Sequence, residues 1–219
     1  WKVRLLAGHV DAATAVAVAD TIGRIHAATL GDSAVARTFA TDALFDELRL
    51  DPYLRTTAAR HPDLSAHILA RLSDTAANRI ALVHGDLSPK NILVAVEDGR
   101  PVILDAECAW YGDPAFDAGF CLNHLVLKAV HMPAHAGALK ASASRFLSAW
   151  LAHFDAETAS LLARRTAALL PCLMLARVDG KSPVEYLTAA GRDTVRSIAI
   201  PLIRETPASL GDILETIAA

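Results

Sequence analysis

A chain of 219 residues is long enough to bury one sizeable hydrophobic core, which predicts one soluble globular domain. Hydrophobic residues make up 53% of the sequence and are dominated by alanine and leucine, a composition that favours helix over sheet. The net charge of −3 at pH 7 excludes the basic field that a nucleic-acid backbone or an anionic membrane surface would attract.

The first third of the sequence predicts helices. Apolar residues recur every three or four positions over 11–29, which predicts an amphipathic helix that ends near Gly31. Asp51 followed by Pro52 predicts the N-cap and first turn of a short helix that ends before the next proline. A further helix is predicted over 63–77.

Three short runs rich in β-forming residues come next, at 80–83, 92–96 and 101–104. The four residues between the last two runs, 97–100, include Asp-Gly, which predicts a hairpin turn. With that turn, Ile92 would lie opposite Asp105 across the hairpin. We expect the sheet to be confined to residues 79–105.

The helical pattern returns after this region and continues to the end of the sequence. Asp113 before Pro114 predicts a helix N-cap, and residues 182–185, Ser-Pro-Val-Glu, have the form of a capping box. Thr206-Pro207 predicts the start of a last helix whose apolar residues share one face: Leu210, Ile213, Leu214 and Ile217. Charges or prolines interrupt every apolar run before the roughly 20 residues that a bilayer-crossing helix needs, so no membrane partner is predicted.

The three cysteines, Cys108, Cys121 and Cys172, lack the paired spacing of a zinc site or a disulfide framework. Unpaired cysteines fit a reducing compartment, and no signal-peptide pattern opens the sequence, which together predict a cytoplasmic protein. The first residue is Trp1 rather than methionine, so we expect further residues upstream.

Three oxygen-bearing side chains are predicted to meet at one end of the hairpin. In the predicted register Asn91 and Asp105 lie side by side, and Asp86 belongs to the loop that leads into the first hairpin strand. Oxygen ligands without histidine pairs or thiolates suit a hard cation such as Mg²⁺. Phosphoryl transfer uses such a metal together with a separate aspartate that deprotonates the attacking hydroxyl.

The order of these residues resembles the catalytic and metal-binding motifs of the aminoglycoside phosphotransferase and choline kinase group. The matching motifs are His84-Gly85-Asp86-Leu87 with Asn91, then Ile103-Leu104-Asp105-Ala106-Glu107, then Gly112-Asp113-Pro114-Ala115-Phe116-Asp117. The similarity runs from about Leu5 to at least Lys128. It implies an α+β, mainly helical fold: the C-terminal lobe of a protein-kinase-like fold, with a small β-hairpin element carrying the catalytic loop.

The resemblance also implies the reaction and the residues that carry it. The γ-phosphate of ATP or GTP would pass to a hydroxyl group of a small molecule, with Asp86 as the catalytic base. Asn91 and Asp105 would bind Mg²⁺ and through it the nucleotide.

Four further residues take supporting roles in this comparison. Lys90 is a candidate phosphate contact, and Glu107 would touch a second metal ion or support the first. Asp117 would brace the catalytic loop, where the helix dipole also favours its charge. His84 is expected to pack or hydrogen-bond in that loop rather than act as a base.

Two residues depart from the pattern. Ser88 stands where protein kinases have a lysine two residues after the aspartate, which is typical of the aminoglycoside kinase branch. Ala106 replaces the aromatic residue common after the metal-binding aspartate, so the packing of that loop is not predicted.

The sequence shows no glycine-rich loop and no strand lysine of the kind that grip nucleotide phosphates in kinases. We therefore expect the whole chain, 1–219, to form the C-terminal catalytic lobe, with the nucleotide-binding lobe absent and the isolated chain inactive. Two alternatives stay open: a non-catalytic binding module that keeps a kinase C-lobe, and a metal-dependent phosphohydrolase. The acceptor, the choice between ATP and GTP, and a homodimer formed through the uncovered apolar surface are also left open.

Overall fold

The computed structural model describes residues 1–217, which form eleven α-helices, a π-helical segment, short 3₁₀ turns and four short strands. The helices are α1 (Lys2–Leu6), α2 (Ala12–Ala28), α3 (Ser33–Thr38), α4 (Asp42–Phe45), α5 (Thr56–Arg60), α6 (Ser65–Ala77), α7 (Pro114–His131), α8 (Ala136–Leu151), α9 (Ala156–Asp179), α10 (Ala189–Arg204) and α11 (Leu210–Glu215). The strands are β1 (Ala81–Val83), β2 (Ile92–Val94), β3 (Pro101–Ile103) and β4 (Trp110–Gly112). The expected mainly helical composition is confirmed.

The first predicted helix is confirmed as α2. Asp11 caps it by accepting a hydrogen bond from the Ala13 N–H at 2.9 Å, and Gly31 follows its end in the left-handed region with φ of 71°. Glycine occupies that region without the steric cost that a Cβ would bring. The buried face of α2 packs against α8, and this pair forms one side of the hydrophobic core.

The prediction that Asp51 and Pro52 begin a helix is wrong. Both residues lie inside the π-helical segment Asp46–Arg55, which joins α4 to α5 without a break. Pro52 has no N–H to donate, and its ring would clash with the carbonyl of the preceding turn of an α-helix. The wider π-helical turn accommodates this proline within a continuous helix. The helix predicted over 63–77 is confirmed as α6.

Two antiparallel strand pairs replace the single predicted sheet. The hairpin pairs β2 with β3, but Ile92 lies opposite Ile103, not Asp105, because the chain turns at residues 96–98. The expectation that the sheet ends at residue 105 is also wrong, since β4 pairs with β1. This second pair places the start of α7 directly beside the loop that follows β1.

The C-terminal half differs from prediction at two helix starts. Asp113 caps α7 as expected, accepting from the Ala115 N–H at 3.0 Å. Residues 182–185 are not helical, because Glu185 turns away to pair with Lys2. The last helix begins at Leu210 rather than at Thr206-Pro207, with Ser209 and Asp212 forming the capping box. The predicted apolar face is confirmed as buried: Leu210, Ile213, Leu214 and Ile217.

The core lies around α7, whose residues are buried on almost every side by α8, α9 and α10. The three cysteines, Cys108, Cys121 and Cys172, are buried and unpaired. By length and composition alone α9 could cross a membrane, which the sequence did not predict, but 61% of its most apolar stretch is buried within the chain. That burial is typical of the core helix of a globular protein.

Candidate functional site

The loop after β1 is held by a buried carboxylate from the start of α7. Asp117 is 0% exposed, and its two oxygens accept from the backbone N–H groups of His84 at 2.7 Å and Gly85 at 2.9 Å. Because β4 pairs with β1 and leads straight into α7, the strand pairing delivers this side chain to the loop. Asp117 therefore sets the backbone conformation immediately before Asp86.

Asp117 is in turn held by His26 of α2 and, through it, by Trp150 of α8. His26 Nε2 lies 3.1 Å from Asp117 Oδ2, and the Trp150 indole N–H donates to His26 Nδ1 at 3.0 Å. Since Nδ1 accepts, the imidazole proton is on Nε2 and points to the carboxylate. Burial alone would raise the pKa of Asp117, but the hydrogen bond from His26 and those from the loop outweigh it and hold the pKa below its ordinary value.

His84 joins the Asp86 loop to the end of β3. Its Nδ1 accepts from the Asp86 N–H at 3.1 Å, which leaves the proton on Nε2 to donate to the Leu104 carbonyl at 3.0 Å. Both ring nitrogens are thus occupied by backbone groups. The ring ties the position of Asp86 to that of Asp105, the residue after Leu104.

Gly85 lets the same two loops come close. Its φ is 80°, and a Cβ at this position would lie 2.5 Å from the Cys108 carbonyl oxygen. Any side chain would therefore be excluded both by the backbone conformation and by contact with the opposite backbone. A glycine before Asp86 is a packing requirement of this site.

The Asp86 carboxylate is 5% exposed and carries two cations on one of its oxygens. Arg49 Nη2 and Lys90 Nζ each lie 3.1 Å from Asp86 Oδ2. Arg49 also donates to the Gly85 carbonyl, which fixes its guanidinium against the loop. Within residues 1–217 no hydrogen bond reaches Asp86 Oδ1, so this oxygen is available to a bound molecule.

Asn91 is brought to the same place by backbone and side-chain contacts. Its amide Nδ2 donates to the Asp86 carbonyl at 3.1 Å, and its own carbonyl accepts from the Leu104 N–H at 2.8 Å. The predicted proximity of Asn91 to the Asp105 segment therefore holds although the strand register is shifted. The amide Oδ1 has no partner among the described residues.

Asp105 and Glu107 lie on an exposed turn that follows β3. Asp105 has φ of 66°, the one positive value among the non-glycine residues that the structure describes. Aspartate tolerates this region better than most residues, and such conformations concentrate at functional sites. Neither carboxylate forms a hydrogen bond or an ion pair within residues 1–217.

The donor set at this turn fits Mg²⁺ but would form only part of its coordination shell. No group of three or more His, Cys, Asp and Glu side chains in the described part of the chain could hold a metal ion. An amide oxygen from Asn91 and carboxylates from Asp105 and Glu107 are hard oxygen donors, and Mg²⁺ commonly completes its shell with water and phosphate oxygens. A metal ion here would depend on a bound phosphate.

A cleft of about 130 Å³ opens next to Asp86. This Asp86 cleft is lined by the following side chains: Lys2, Tyr53, Asp86, Pro89, Lys90, Phe120, His124, Lys128, Arg177, Ser182, Glu185 and Tyr186. Burial and four nearby cations hold the pKa of His124 well below its ordinary value, so this imidazole is neutral. Asn91, Asp105 and Glu107 do not line the cleft.

Sequence reasoning missed several residues of this site. Arg49 lies in the π-helical segment with no motif around it, and no motif marks His26 or Trp150 in the sequence. Lys128 and Arg177 come from α7 and α9, where a basic residue is indistinguishable from a surface one without knowledge of helix packing.

Comparisons with known proteins agree with the motifs. A family model described as "Phosphotransferase enzyme family" matches residues 5–154. Methylthioribose kinase from Yersinia enterocolitica is 37% identical over 112 residues, which cover 49% of this chain and 28% of the relative. Methylthioribose kinase from Citrobacter koseri is 40% identical over 65 residues, which cover 30% of this chain and 16% of the relative.

The matched segments thus span less than a third of these relatives. The family model, in contrast, covers more than half of the chain and includes every motif residue from His84 to Asp117. This match confirms the expected resemblance, and it implies a kinase-like fold. The chain belongs to the phosphotransferase enzyme family.

Proposed function

We propose that the protein transfers the γ-phosphate of ATP or GTP to a hydroxyl group of a small molecule. The observation that carries this proposal is the Asp86 carboxylate. It is buried at the wall of a cleft, with Oδ2 held by two cations and Oδ1 available. A hydroxyl group in the cleft that approaches Oδ1 has a positioned base for its proton.

The surroundings of Asp86 favour its role as base. Arg49 and Lys90 contact one carboxylate oxygen and fix its rotamer, so the lone pairs of the other oxygen are available to the substrate without any rearrangement. Lys90 is the more exposed of the two cations, and we propose that it contacts the transferred phosphate when a nucleotide is bound. Arg49 is nearly buried and stays with Asp86 and Gly85.

Asn91 and Asp105 are the proposed Mg²⁺ ligands, with Glu107 beside them. When bound, Mg²⁺ would neutralise charge on the β- and γ-phosphates and so favour transfer. The protein's own contribution is to hold these oxygens next to Asp86. His84 does this through its two backbone hydrogen bonds, and Asp117 does it through the loop N–H groups.

We propose that residues 1–219 are the C-terminal catalytic lobe and that another part of the polypeptide covers the nucleotide. The outer face of the β2–β3 hairpin supports this view. Leu93 and Val102 face each other across the strands and are 54% and 43% exposed. Such apolar pairs are normally covered by another element. A soluble, cytoplasmic location is part of the same proposal.

The test is a phosphate-transfer assay on the full-length polypeptide that contains this chain. ATP and GTP are supplied with Mg²⁺ and a panel of hydroxylated molecules that includes methylthioribose, and phosphorylated products are identified by mass. Asp86→Asn should lower kcat by about 10²-fold or more while nucleotide affinity stays nearly unchanged. Asp98→Asn, in the exposed hairpin turn, is the matched control.

Three outcomes would contradict the proposal. Wild-type turnover in Asp86→Asn would remove Asp86 as the base. Release of inorganic phosphate at the same rate without any acceptor would indicate a phosphohydrolase. Binding of nucleotide without transfer or hydrolysis under every condition would indicate a non-catalytic module.

A further inference from the structure

The Asp86 cleft carries more positive than negative charge. Four basic side chains line it, against two carboxylates. Both carboxylates are already paired, Glu185 with Lys2 and Asp86 with Lys90 and Arg49, so neither neutralises a further cation. The two remaining bases, Lys128 and Arg177, have no carboxylate within 4.0 Å in residues 1–217.

Lys128 is a buried cation with few partners. It is 1% exposed, its ammonium donates to the His124 carbonyl at 3.3 Å, and it lies 4.9 Å from the centre of the Tyr186 ring. An ammonium group has three donors, and a carbonyl and a ring face do not replace the water it has lost. Burial and the neighbouring Lys2 lower its pKa to about 8, yet it remains mostly charged at neutral pH.

Two more donors at this end of the cleft lack acceptors. Arg177 Nη1 donates to the Tyr53 hydroxyl at 3.2 Å and to the Ser182 carbonyl, but its Nε is buried without a partner among residues 1–217. The hydroxyl of Tyr186 is also buried and has no partner in this part of the chain. Buried polar groups are normally satisfied, so these atoms together indicate a missing acceptor. An anion bound in the cleft would offer acceptors to all three residues, since Lys128, Arg177 and Tyr186 line it.

The Lys128 and Arg177 end of the cleft is separate from the residues proposed to hold Mg²⁺. Asn91 and Asp105 lie outside the cleft, whereas Asp86 lines it together with Lys90, the proposed contact of the transferred phosphate. A molecule in the cleft therefore reaches Asp86 from the acceptor side. Its hydroxyl would meet Oδ1, and its far end would meet Lys128 and Arg177.

We propose that the acceptor is a small anionic molecule with a hydroxyl group, bound by Lys128 and Arg177 through a carboxylate or phosphate. This inference rests on the proposed function, because it assigns the substrate class of the same site. The cleft volume is similar to that of a cavity that holds benzene, about 150 Å³. A hydroxy acid of three or four carbons fits that space. Methylthioribose, the molecule named by the relatives, is neutral and would leave both cations without a counter-ion.

The first experiment measures binding to the 219-residue chain by calorimetry. The probes are D-glycerate and L-glycerate for the carboxylate, glycerol 3-phosphate for the phosphate, and glycerol as the neutral counterpart. We expect at least one anionic probe to bind about 30-fold or more tightly than glycerol, and the two chemical classes to differ. Equal affinities for glycerol and for all three anions would overturn the proposal.

The second experiment assigns the binding to the two cations. Lys128→Met and Arg177→Gln should each weaken binding of the preferred anion by about 30-fold or more. The controls are Lys140→Met on α8 and Arg164→Gln on α9, the helix that also carries Arg177. Each control removes one positive charge that lies away from the cleft, so the affinity for the anion should change by less than about two-fold. Wild-type affinity in both cleft variants would overturn the proposal. Thermal unfolding of each variant verifies that it is folded.

The third experiment separates this inference from the proposed function, using the full-length polypeptide. A non-hydrolysable ATP analogue with Mg²⁺ should not displace the anion, and competitive displacement would assign the cations to the nucleotide and overturn the inference. Phosphate transfer to neutral acceptors with no preference for anions would also overturn it and leave the kinase proposal standing. Anion binding that depends on Lys128, without phosphate transfer to any acceptor, would support the anion site and refute the kinase proposal.

Discussion

Replacing Lys128 by methionine should stabilise the protein at neutral pH. Burial lowers the pKa of this lysine from 10.5 to about 8, which corresponds to roughly 3 kcal/mol of unfavourable free energy for the charged form in the folded state. Methionine fills a similar volume without charge, although it forfeits the hydrogen bond to the His124 carbonyl and the contact with the Tyr186 ring. We expect a net gain of about 1–3 kcal/mol at pH 7.

The pH dependence follows from the sign of the pKa change. Between about pH 8 and pH 10.5 the unfolded chain binds more protons at this lysine than the folded chain, so the wild-type protein gains stability as the pH rises. The advantage of Lys128→Met should therefore be full below about pH 8 and decline toward zero near pH 10.5. If the Lys128 ammonium were equally solvated in the folded and unfolded states, the advantage of Lys128→Met would not change between pH 8 and pH 10.5.

Urea unfolding at pH 7 and at pH 10, followed by circular dichroism, measures the stability gained by Lys128→Met and its change with pH. The control is Lys140→Met, since Lys140 is a half-buried lysine of α8 whose ammonium donates to the Ile217 carbonyl and does not line the Asp86 cleft. A destabilised Lys128→Met at pH 7 would mean that the lysine has a counter-ion or water partners that offset its burial. A stability difference that is the same at both pH values would refute the link to protonation.

The remaining predictions concern the metal site and the extent of the chain. Asp105→Ala should abolish the Mg²⁺ dependence of nucleotide binding in the full-length polypeptide without unfolding it, because it removes an exposed carboxylate that has no partner within residues 1–217. Calorimetric titration of nucleotide with and without Mg²⁺ measures this dependence. If Mg²⁺ still strengthens nucleotide binding as in the wild type, Asp105 is not a metal ligand. The 219-residue chain alone should transfer phosphate far more slowly than the full-length polypeptide, since positioning and charge neutralisation supply most of the rate. Comparable turnover in the two would show that the described residues hold the nucleotide by themselves. Light scattering should also show a larger tendency of the isolated chain to associate, through the apolar outer face of the hairpin.

Local signals in the sequence predicted much of the fold. Caps and apolar periodicity located α2, α6 and α7, because those signals depend on residues within one or two turns of each other. The same reasoning failed at Pro52, where a π-helical turn removes the conflict that normally ends a helix. It also failed for β4, a strand of three residues that is recognisable only by its pairing with β1 about thirty positions earlier.

The order of the site residues along the chain was predictable from the sequence, but the residues that hold them in place were not. Asp86, Asn91 and Asp105 belong to one continuous stretch of the chain. They could therefore be predicted to lie near one another even though the predicted hairpin register was wrong. Arg49 and Lys128 reach the site from distant helices, and nothing adjacent to them in the sequence distinguishes them from surface residues. Their roles depend on tertiary packing, which periodicity does not encode.

The two hydrogen bonds that join Trp150 to His26 and His26 to Asp117 determine when the loop before Asp86 is formed during folding. The bond between Trp150 and His26 joins residues 124 positions apart, and Asp117 passes the constraint to the backbone before Asp86. The loop cannot adopt its conformation until α2, α7 and α8 have packed together. A compact intermediate with native helices but loose side-chain packing would therefore lack a positioned Asp86. Recovery of phosphate transfer during refolding should follow the burial of Trp150, and should lag behind the recovery of helical signal.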